Sequence, residues 1–250
     1  SISKPFVFAL VCQALGAEGA RARVGVNATG LPFYSVRAVE LNADRTMNPM
    51  VNAGAIATTS CVPGANAEEK FRFIQDGLAR SAGRPLEVDE DVYTSEAETN
   101  LRTRGIAKLL EGYDRMYWDA LEATDIYTRQ CSLNVTAKDL AVMGATLAGG
   151  GVNPLTQERV IDARNCRRVL ASLATAGLYE QSGDWLFEVG LPGKSGVSGG
   201  IVTIAPGKGA VGVFAPRLDE SGNSIKGQLI SKLLSERLGL NLFASQPFSA

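Results

Sequence analysis

Gly193-Lys194-Ser195-Gly196-Val197-Ser198-Gly199-Gly200 is the stretch on which the reading of this chain turns. Lys194-Ser195-Gly196 opens a glycine-rich strand, and dense glycine beside a strand lets a ligand approach main-chain N–H groups, as an oxyanion hole requires. At the other end of the chain, Ser1-Ile2-Ser3-Lys4 opens an apolar, helix-like run. Three residues make nearly one helical turn, so Ser1 and Lys4 share a face within side-chain reach. Together the two strings predict a serine acyl-transfer site. The chain has no histidine, which removes the Ser-His-Asp triad, the Cys-His dyad and histidine metal sites, and leaves lysine, tyrosine or a carboxylate as base. Lys4 can take the Ser1 proton only when neutral. An exposed lysine ionises near 10.4, so burial and a nearby cation, for which Lys194 is placed, must lower it. The helix N-terminus adds a favourable field for a serine alkoxide. Two plainer readings stand beside this one: a capping serine followed by a snorkelling lysine, and a phosphate loop ending in Gly193-Lys194-Ser195. The latter lacks a glycine at Glu188 and requires a helix after the serine.

With 250 residues, 45% hydrophobic and 20% charged, the composition is that of an ordinary globular chain, long enough for one large domain or two lobes. Lys+Arg 25 against Asp+Glu 26 gives a net charge of -1, so no bulk field gathers nucleic acid or an anionic membrane. Arg159, Arg164, Arg167 and Arg168 read as a solvated helix face or subunit contact. Cys12, Cys61, Cys131 and Cys166 are widely spaced with no C-x-x-C pair, which fits reduced thiols in the cytoplasm rather than zinc or a disulfide framework. No signal peptide or apolar run of transmembrane length is present. The chain begins without methionine, and the reading expects an N-terminal piece to precede Ser1.

Apolar residues at three- and four-residue steps predict a buried helix over Lys4–Leu15, closed by Gly16 and Gly19. Helical patterns recur at Ala67–Ala79, Thr94–Leu110, Tyr113–Glu122, Ala137–Ala148 and Val160–Ala174, with Thr136 as an N-cap. Gly25–Ala57 has too little period to assign. Beyond Gly183, Trp185–Val189, Gly200–Ile204 and Gly209–Phe214 read as short strands, and Ser224–Leu238 as a closing helix. The expectation is an α+β chain: a mainly helical lobe over residues 1–182 that begins with the nucleophile helix, then sheet strands and closing helix over residues 183–250.

Serine, lysine and a K-[ST]-G element resemble the penicilloyl-serine hydrolase and transferase group, whose third motif, S-x-N, is matched literally by Ser132-Leu133-Asn134. Longer strings are more specific. Ser1–Phe6, Asn48–Ile56, Tyr127–Ser132, Gly177–Glu180, Gly190–Ile201 and Asp219–Ser224 are similar to the serine-dependent glutaminase family, in order, over essentially the whole chain. The resemblance implies a β-lactamase-like fold with its helical lobe and an antiparallel sheet flanked by helices, whose N-terminal strands precede the nucleophile and are missing from this chain. It also implies hydrolysis of L-glutamine to L-glutamate and ammonia, without metal or organic cofactor, by a homodimer or homotetramer in the cytoplasm.

Carried over by position, the resemblance makes Ser1 the nucleophile and Lys4 its base, with Lys194 alongside. The N–H groups of Ser1 and Val197 hold the oxyanion, and Tyr179 relays a proton. Asn52, Glu96, Thr103 and Tyr127 meet the amino-acid end of the substrate. The residue types suit those roles: a carboxylate for an ammonium, amide and phenol donors for a carboxylate. On the residues alone, Tyr127 and Tyr179 also fit core tyrosines, Asn52 a turn residue, and Glu96 a first-turn carboxylate. Thr103 stands where the family usually carries asparagine, which costs an amide donor-acceptor pair. Two rivals remain: an N-terminal nucleophile whose own amine is the base, and a non-catalytic amide-binding member of the same fold.

Overall fold

The computed structural model describes residues 1–245, which form an α+β fold built around one nearly all-apolar helix. Helix α1 (Lys4–Leu15) carries Pro5 in its first turn, where the missing N–H costs nothing. Every residue from Lys4 to Cys12 is buried, as expected of a helix that is hydrophobic all round. It packs against α2 (Ala17–Val24), α3 (Asn52–Ser60), α4 (Ala67–Ala82) and α9 (Ala163–Ala176). The remaining helices are α5 (Glu90–Thr99), α6 (Leu101–Gly112), α7 (Ala120–Cys131), α8 (Ala137–Ala148), α10 (Ser182–Val189) and α11 (Ile225–Arg237). No described helix is long and apolar enough to cross a membrane.

Strands β1 (Gly193–Ser195), β2 (Gly200–Ala205) and β3 (Gly209–Phe214) form an antiparallel sheet in that order, with Lys194 opposite Val202. The period of two sorts β2 between two cores. Val202 and Ile204 join the large cluster with Leu140, Met143 and Leu147 of α8, whereas Ile201 and Ala205 join Leu178, Trp185 and Val189. α11 covers the second face, where Thr203 and Ser231 share a hydroxyl hydrogen bond of 2.8 Å. On the first face α8 lies so close that a Cβ at Gly144 would sit 2.6 Å from that of Ala210.

The structure revises the element boundaries in several places. The strand predicted at Trp185–Val189 is helical: Trp185 and Val189, four residues apart, face inward while Phe187 is 86% exposed, and left-handed Gly190 ends the helix. A five-residue apolar run is too short to distinguish the two periods. The helix predicted over Thr94–Leu110 is broken at Asn100 into α5 and α6. The one predicted over Tyr113–Glu122 starts only at Ala120, where Asp119 accepts from the N–H groups of Leu121 and Glu122 at 3.0 and 2.9 Å, and runs on to Cys131. Val160 lies outside α9 because its N–H donates to Gly151 O at 2.8 Å. Within the unassigned Gly25–Ala57 stretch the structure forms a helix, α3. The expected cap at Thr136 is there as a full capping box with Asp139, and Ser224 caps α11.

Candidate active site

The opening turn of the chain folds back so that Lys4 N–H donates to Ser1 O at 3.2 Å, which stacks Ser1 above Lys4 at the entrance of α1. Lys4 is only 1% exposed. Its Nζ donates to Met50 O at 3.1 Å and to Asn52 Oδ1 at 2.8 Å. No carboxylate is among these partners, so burial drives the Lys4 amine down from 10.5 to about 8, with a smaller pull upward from Cys131. The predicted neighbouring cation is therefore not the main cause. The repulsion shows instead on Lys194, which is fully buried and held well below its ordinary value by burial first and by Lys4 second.

Asn52 reaches Lys4 because α3 begins there. Asn48 Oδ1 accepts from Met50 N–H at 2.9 Å, and Asn52 N–H donates to Phe33 O at 2.8 Å, fixing the turn that aims its amide. Asn52 Oδ1 also accepts from the Tyr127 hydroxyl at 3.3 Å. That leaves Asn52 Nδ2 as a donor for an incoming carboxylate.

Lys194 lies on β1, and its Nζ donates to Gly177 O at 2.9 Å and Ser195 O at 2.7 Å. Both are neutral acceptors, which supports a depressed amine. Its Nζ also sits 4.2 Å from the centroid of the Tyr179 ring. The close approach of α9 to β1 depends on Gly177, where a Cβ would overlap Gly193 O. Tyr179 adopts φ 57, a left-handed conformation costly for a residue with a Cβ. The strained turn is held by Ser182, whose Oγ donates to Tyr179 O at 2.7 Å and accepts from Leu178 N–H at 3.0 Å. The Tyr179 hydroxyl donates to Ser195 O at 3.3 Å. Burial raises the Tyr179 phenol to about 12 and pushes Tyr127 well above its usual range, so both stay protonated donors.

The glycine-rich stretch is a tight hairpin turn between β1 and β2 rather than a strand running on from Lys194. Gly199 N–H donates to Gly196 O at 2.9 Å and Gly196 N–H to Gly200 O at 3.0 Å. Val197 sits at the tip, 54% exposed, and among the described residues no acceptor takes its N–H. A strand, not a helix, follows Ser195, which rules out the phosphate-loop reading.

Ser1, Lys4, Asn52, Tyr127, Tyr179, Lys194 and Val197 thus converge. Glu96 and Thr103 do not join this cluster through any hydrogen bond among the described residues: Glu96 is exposed on α5 and Thr103 half-buried in the first turn of α6. The literal Ser132-Leu133-Asn134 match supplies no relay hydroxyl, because Ser132 Oγ donates back to Thr128 O at 2.9 Å and Asn134 is exposed. Tyr127, on α7 just before Ser132, instead turns its hydroxyl to Asn52 Oδ1 in the site. Next to Ser1 a cavity of about 220 Å³ opens, lined also by Gln130, Cys131, Ser198 and Phe214.

Two functional positions escape the sequence reading. Phe33 stacks on Tyr179 with centroids 4.3 Å apart and lies 5.7 Å from Lys4 Nζ. Its only signal is an aromatic pair, Phe33-Tyr34, in a Gly/Pro/Asn-rich stretch. Asn223 is fully buried behind the site, with nothing in the sequence beyond its place in the Asp219–Ser224 string.

The Arg159, Arg164, Arg167 and Arg168 group is an exposed face, with Arg168 paired to Glu18 at 2.7 Å. All four cysteines are free. No group of three or more metal-binding side chains occurs among the described residues.

The family model described as Glutaminase matches residues 1–243. Glutaminase 2 of Yersinia pestis is 63% identical over 249 residues, covering 100% of this chain and 73% of that protein. The solved structure of a probable glutaminase, ybaS, superposes with a TM-score of 0.96 at 45% identity, covering 98% of this chain and 79% of that one. Mglu, solved in its glutamate form, superposes with a TM-score of 0.91 at 38% identity over 98% of this chain and 56% of its own. The α+β, β-lactamase-like architecture implied by the sequence strings is the architecture these neighbours share with it.

Proposed function

The chain belongs to the glutaminase family, and from that premise we propose that it hydrolyses L-glutamine to L-glutamate and ammonia through a glutamyl ester on Ser1. Ser1 Oγ attacks the side-chain amide carbon while neutral Lys4 takes its proton. The oxyanion is received by the N–H groups of Ser1 and Val197. The amide nitrogen collects a proton, delivered from Lys4 with Tyr179 as relay, and leaves as ammonia. Water then attacks the ester by the same route and frees glutamate and Ser1. Lys194 sets the local field and holds the carbonyls of Gly177 and Ser195. Asn52 Nδ2 and the Tyr127 hydroxyl meet the substrate carboxylate, with Glu96 and Thr103 closing on the ammonium end.

The observation that carries this reading is Lys4: a buried amine with only neutral partners, one turn from Ser1, at about 8. An exposed lysine would be almost wholly protonated at neutral pH and useless as a base. The same observation favours Lys4 over an α-amine as the base, since the site holds a buried lysine one turn from Ser1. The glutamate form of Mglu supports the substrate assignment.

Residues 1–182 act as the lobe that presents nucleophile, base and carboxylate donors, and residues 183–250 as the lobe that presents Lys194 and Val197. The free thiols fit a cytoplasmic setting. Exposed Leu229, Leu233 and Leu238 on and after α11 fit a homodimer or homotetramer, which sedimentation would resolve.

The test is ammonia release from L-glutamine by the chain and by Ser1→Ala. Release by the first and none by the second is expected. Tight glutamine binding without release by the unsubstituted chain would establish the non-catalytic alternative.

A further inference from the structure

Behind the catalytic face, residues 215–224 run as a loop from β3 to α11 that touches three catalytic elements at once. Asn223 is its centre and has no exposure. Its Oδ1 accepts from Ser195 Oγ at 2.6 Å, and its Nδ2 donates to Gln181 Oε1 at 3.2 Å. Ser195 is itself fully buried, and its carbonyl is the shared acceptor for Lys194 Nζ and the Tyr179 hydroxyl. Gln181 belongs to the 3-10 turn that begins with strained Tyr179. One amide therefore bridges the strand that carries Lys194 and the turn that carries Tyr179.

The adjoining residue completes the contact. A Cβ on Gly222, which has φ 90, would lie 3.2 Å from Val197 Cγ1 and 3.9 Å from Tyr179 Cε2, so the loop backbone runs beside both. The loop is anchored independently of the site. Asp219 Oδ1 accepts from Asn223 N–H at 2.9 Å, its Oδ2 accepts from Gln228 Nε2 at 2.8 Å, and Ser224 Oγ donates to Ala215 O at 2.7 Å.

We propose that Asn223 is a positioning residue for the hydrolysis: by pinning Ser195 Oγ and Gln181 Oε1 to an anchored loop, it fixes the distance between Lys194, Tyr179 and the Val197 N–H. The physical need is clear from the neighbouring strain. A tyrosine at positive φ relaxes unless its surroundings hold it. Ser182 holds its carbonyl, and the Asn223 bridge ties the turn to β1 alongside the 3.3 Å bond from the Tyr179 hydroxyl to Ser195 O. A displacement of about 1 Å in such a constellation is enough to cost about 100-fold in rate. Because the bridge touches no substrate atom, its loss acts on the transition-state geometry rather than on substrate affinity.

The inference rests on the glutaminase reading, and the experiment separates the two. Ammonia release is measured for the unsubstituted chain, Asn223→Ala, Gln181→Leu, Gln181→Glu and the Asn223→Ala/Gln181→Leu double variant, with Tm for each. The expectation for Asn223→Ala is a fall in kcat of about 10- to 100-fold with KM within about threefold. Gln181→Leu falls in the same direction and carries the test by itself if Asn223→Ala does not fold. Gln181→Glu, which keeps the oxygen that accepts from Nδ2, recovers most of the loss seen in Gln181→Leu. The double variant is no slower than Asn223→Ala, since both substitutions break one bridge. Variants that melt lower yet keep full kcat below their Tm, or losses that multiply in the double variant, would overturn the positioning role. Absence of ammonia release from the unsubstituted chain would overturn the glutaminase reading, and the inference with it.

Discussion

Replacing Lys4 by methionine should abolish turnover and, at neutral pH, offset part of the cost of burying the lysine. Methionine matches the length of the apolar stem and fits a site that is 1% exposed. At pH 7 a lysine at about 8 is neutral in about one molecule in ten, against about one in 3,000 for an ordinary lysine, so burial supplies roughly 300-fold more base. Removing the base should cost at least about 100-fold in kcat. The same shift is a stability statement. Lys4 is held below its unfolded value, so between the two values the unfolded chain binds the extra proton and stability rises with pH. The favourable contribution is complete above about 10.5 and is lost as pH falls through about 8, a span of about 3 kcal/mol.

Lys4→Met removes that penalty but takes the Lys4 donor from Met50 O and leaves Asn52 Oδ1 with the Tyr127 hydroxyl alone, which returns about 1–3 kcal/mol. The absolute gain at pH 7 is therefore small. The pH dependence is the cleaner quantity, because the lost hydrogen bonds to Met50 O and Asn52 Oδ1 contribute equally at every pH. Urea unfolding of both proteins at pH 7 and pH 10 should show the variant gaining about 2–3 kcal/mol more, relative to the unsubstituted chain, at pH 7 than at pH 10. Removal of Lys4 also relieves the repulsion on Lys194, which acts in the same direction. A stability difference that is the same at both pH values would refute the depressed amine, and turnover above about a tenth of the original would refute its role as base.

Ser1→Ala should lose ammonia release while its melting temperature moves little, since the substitution removes one hydroxyl from a half-buried residue; measurable turnover would remove Ser1 as nucleophile. Gly177→Ala should cost about 1–3 kcal/mol of stability and most of the activity, because its Cβ meets Gly193 O and pushes β1 away from the carbonyl that receives Lys194 Nζ; an unshifted Tm would contradict that contact. Thr103→Asn should lower KM for glutamine, by a hydrogen bond worth roughly 0.5–3 kcal/mol, with kcat nearly constant; a higher KM would mean that Thr103 suits another amide. Between pH 6 and pH 9, kcat/KM should rise through about 8 as Lys4 loses its proton; a flat profile would point to a different base.

How far the sequence carries the fold differs from element to element. α1 is legible because its apolar positions repeat and Gly16 stops it, and α8 because Thr136 and Asp139 write out a capping box. α3 is not, because Asn52-Ala53-Gly54-Ala55 has no amphipathic pattern: the helix is buried on nearly every side, and Gly54 is required where a Cβ would overlap Asn48 O. α10 misleads because Trp185-Leu186-Phe187-Glu188-Val189 is a short run rich in aromatic and branched apolar residues that carries neither period clearly, while its C-terminus is decided by left-handed Gly190. In the site, Ser1, Lys4 and Lys194 follow from motif spacing. Asn52, Tyr127 and Tyr179 follow from whole strings, because nothing local distinguishes a tyrosine that reaches Asn52 Oδ1 from one that fills a core. Phe33 and Asn223 act through contacts with residues far away in the chain, so no spacing rule finds them.

The depressed lysine and the stable core are one feature rather than two. Phe6, Val7, Phe8, Leu10 and Val11 are buried on the same helix that starts with Lys4. At about 1.5–3 kcal/mol per large apolar side chain, they stabilise α1 by roughly 7–15 kcal/mol as an upper bound. Against that stand about 3 kcal/mol for Lys4 and about 1–2 kcal/mol for left-handed Tyr179. The apolar surroundings that make the helix stable also exclude the water that would hold Lys4 protonated. A lysine at an exposed helix start would spare the protein that cost and lose the base. The fold therefore resolves the conflict by placing Lys4 where α1 enters the core, with neutral Met50 O and Asn52 Oδ1 as its hydrogen-bond partners and no carboxylate paired with its amine among the described residues. A carboxylate introduced beside Lys4 would restore stability at neutral pH by the same electrostatics that would silence the site.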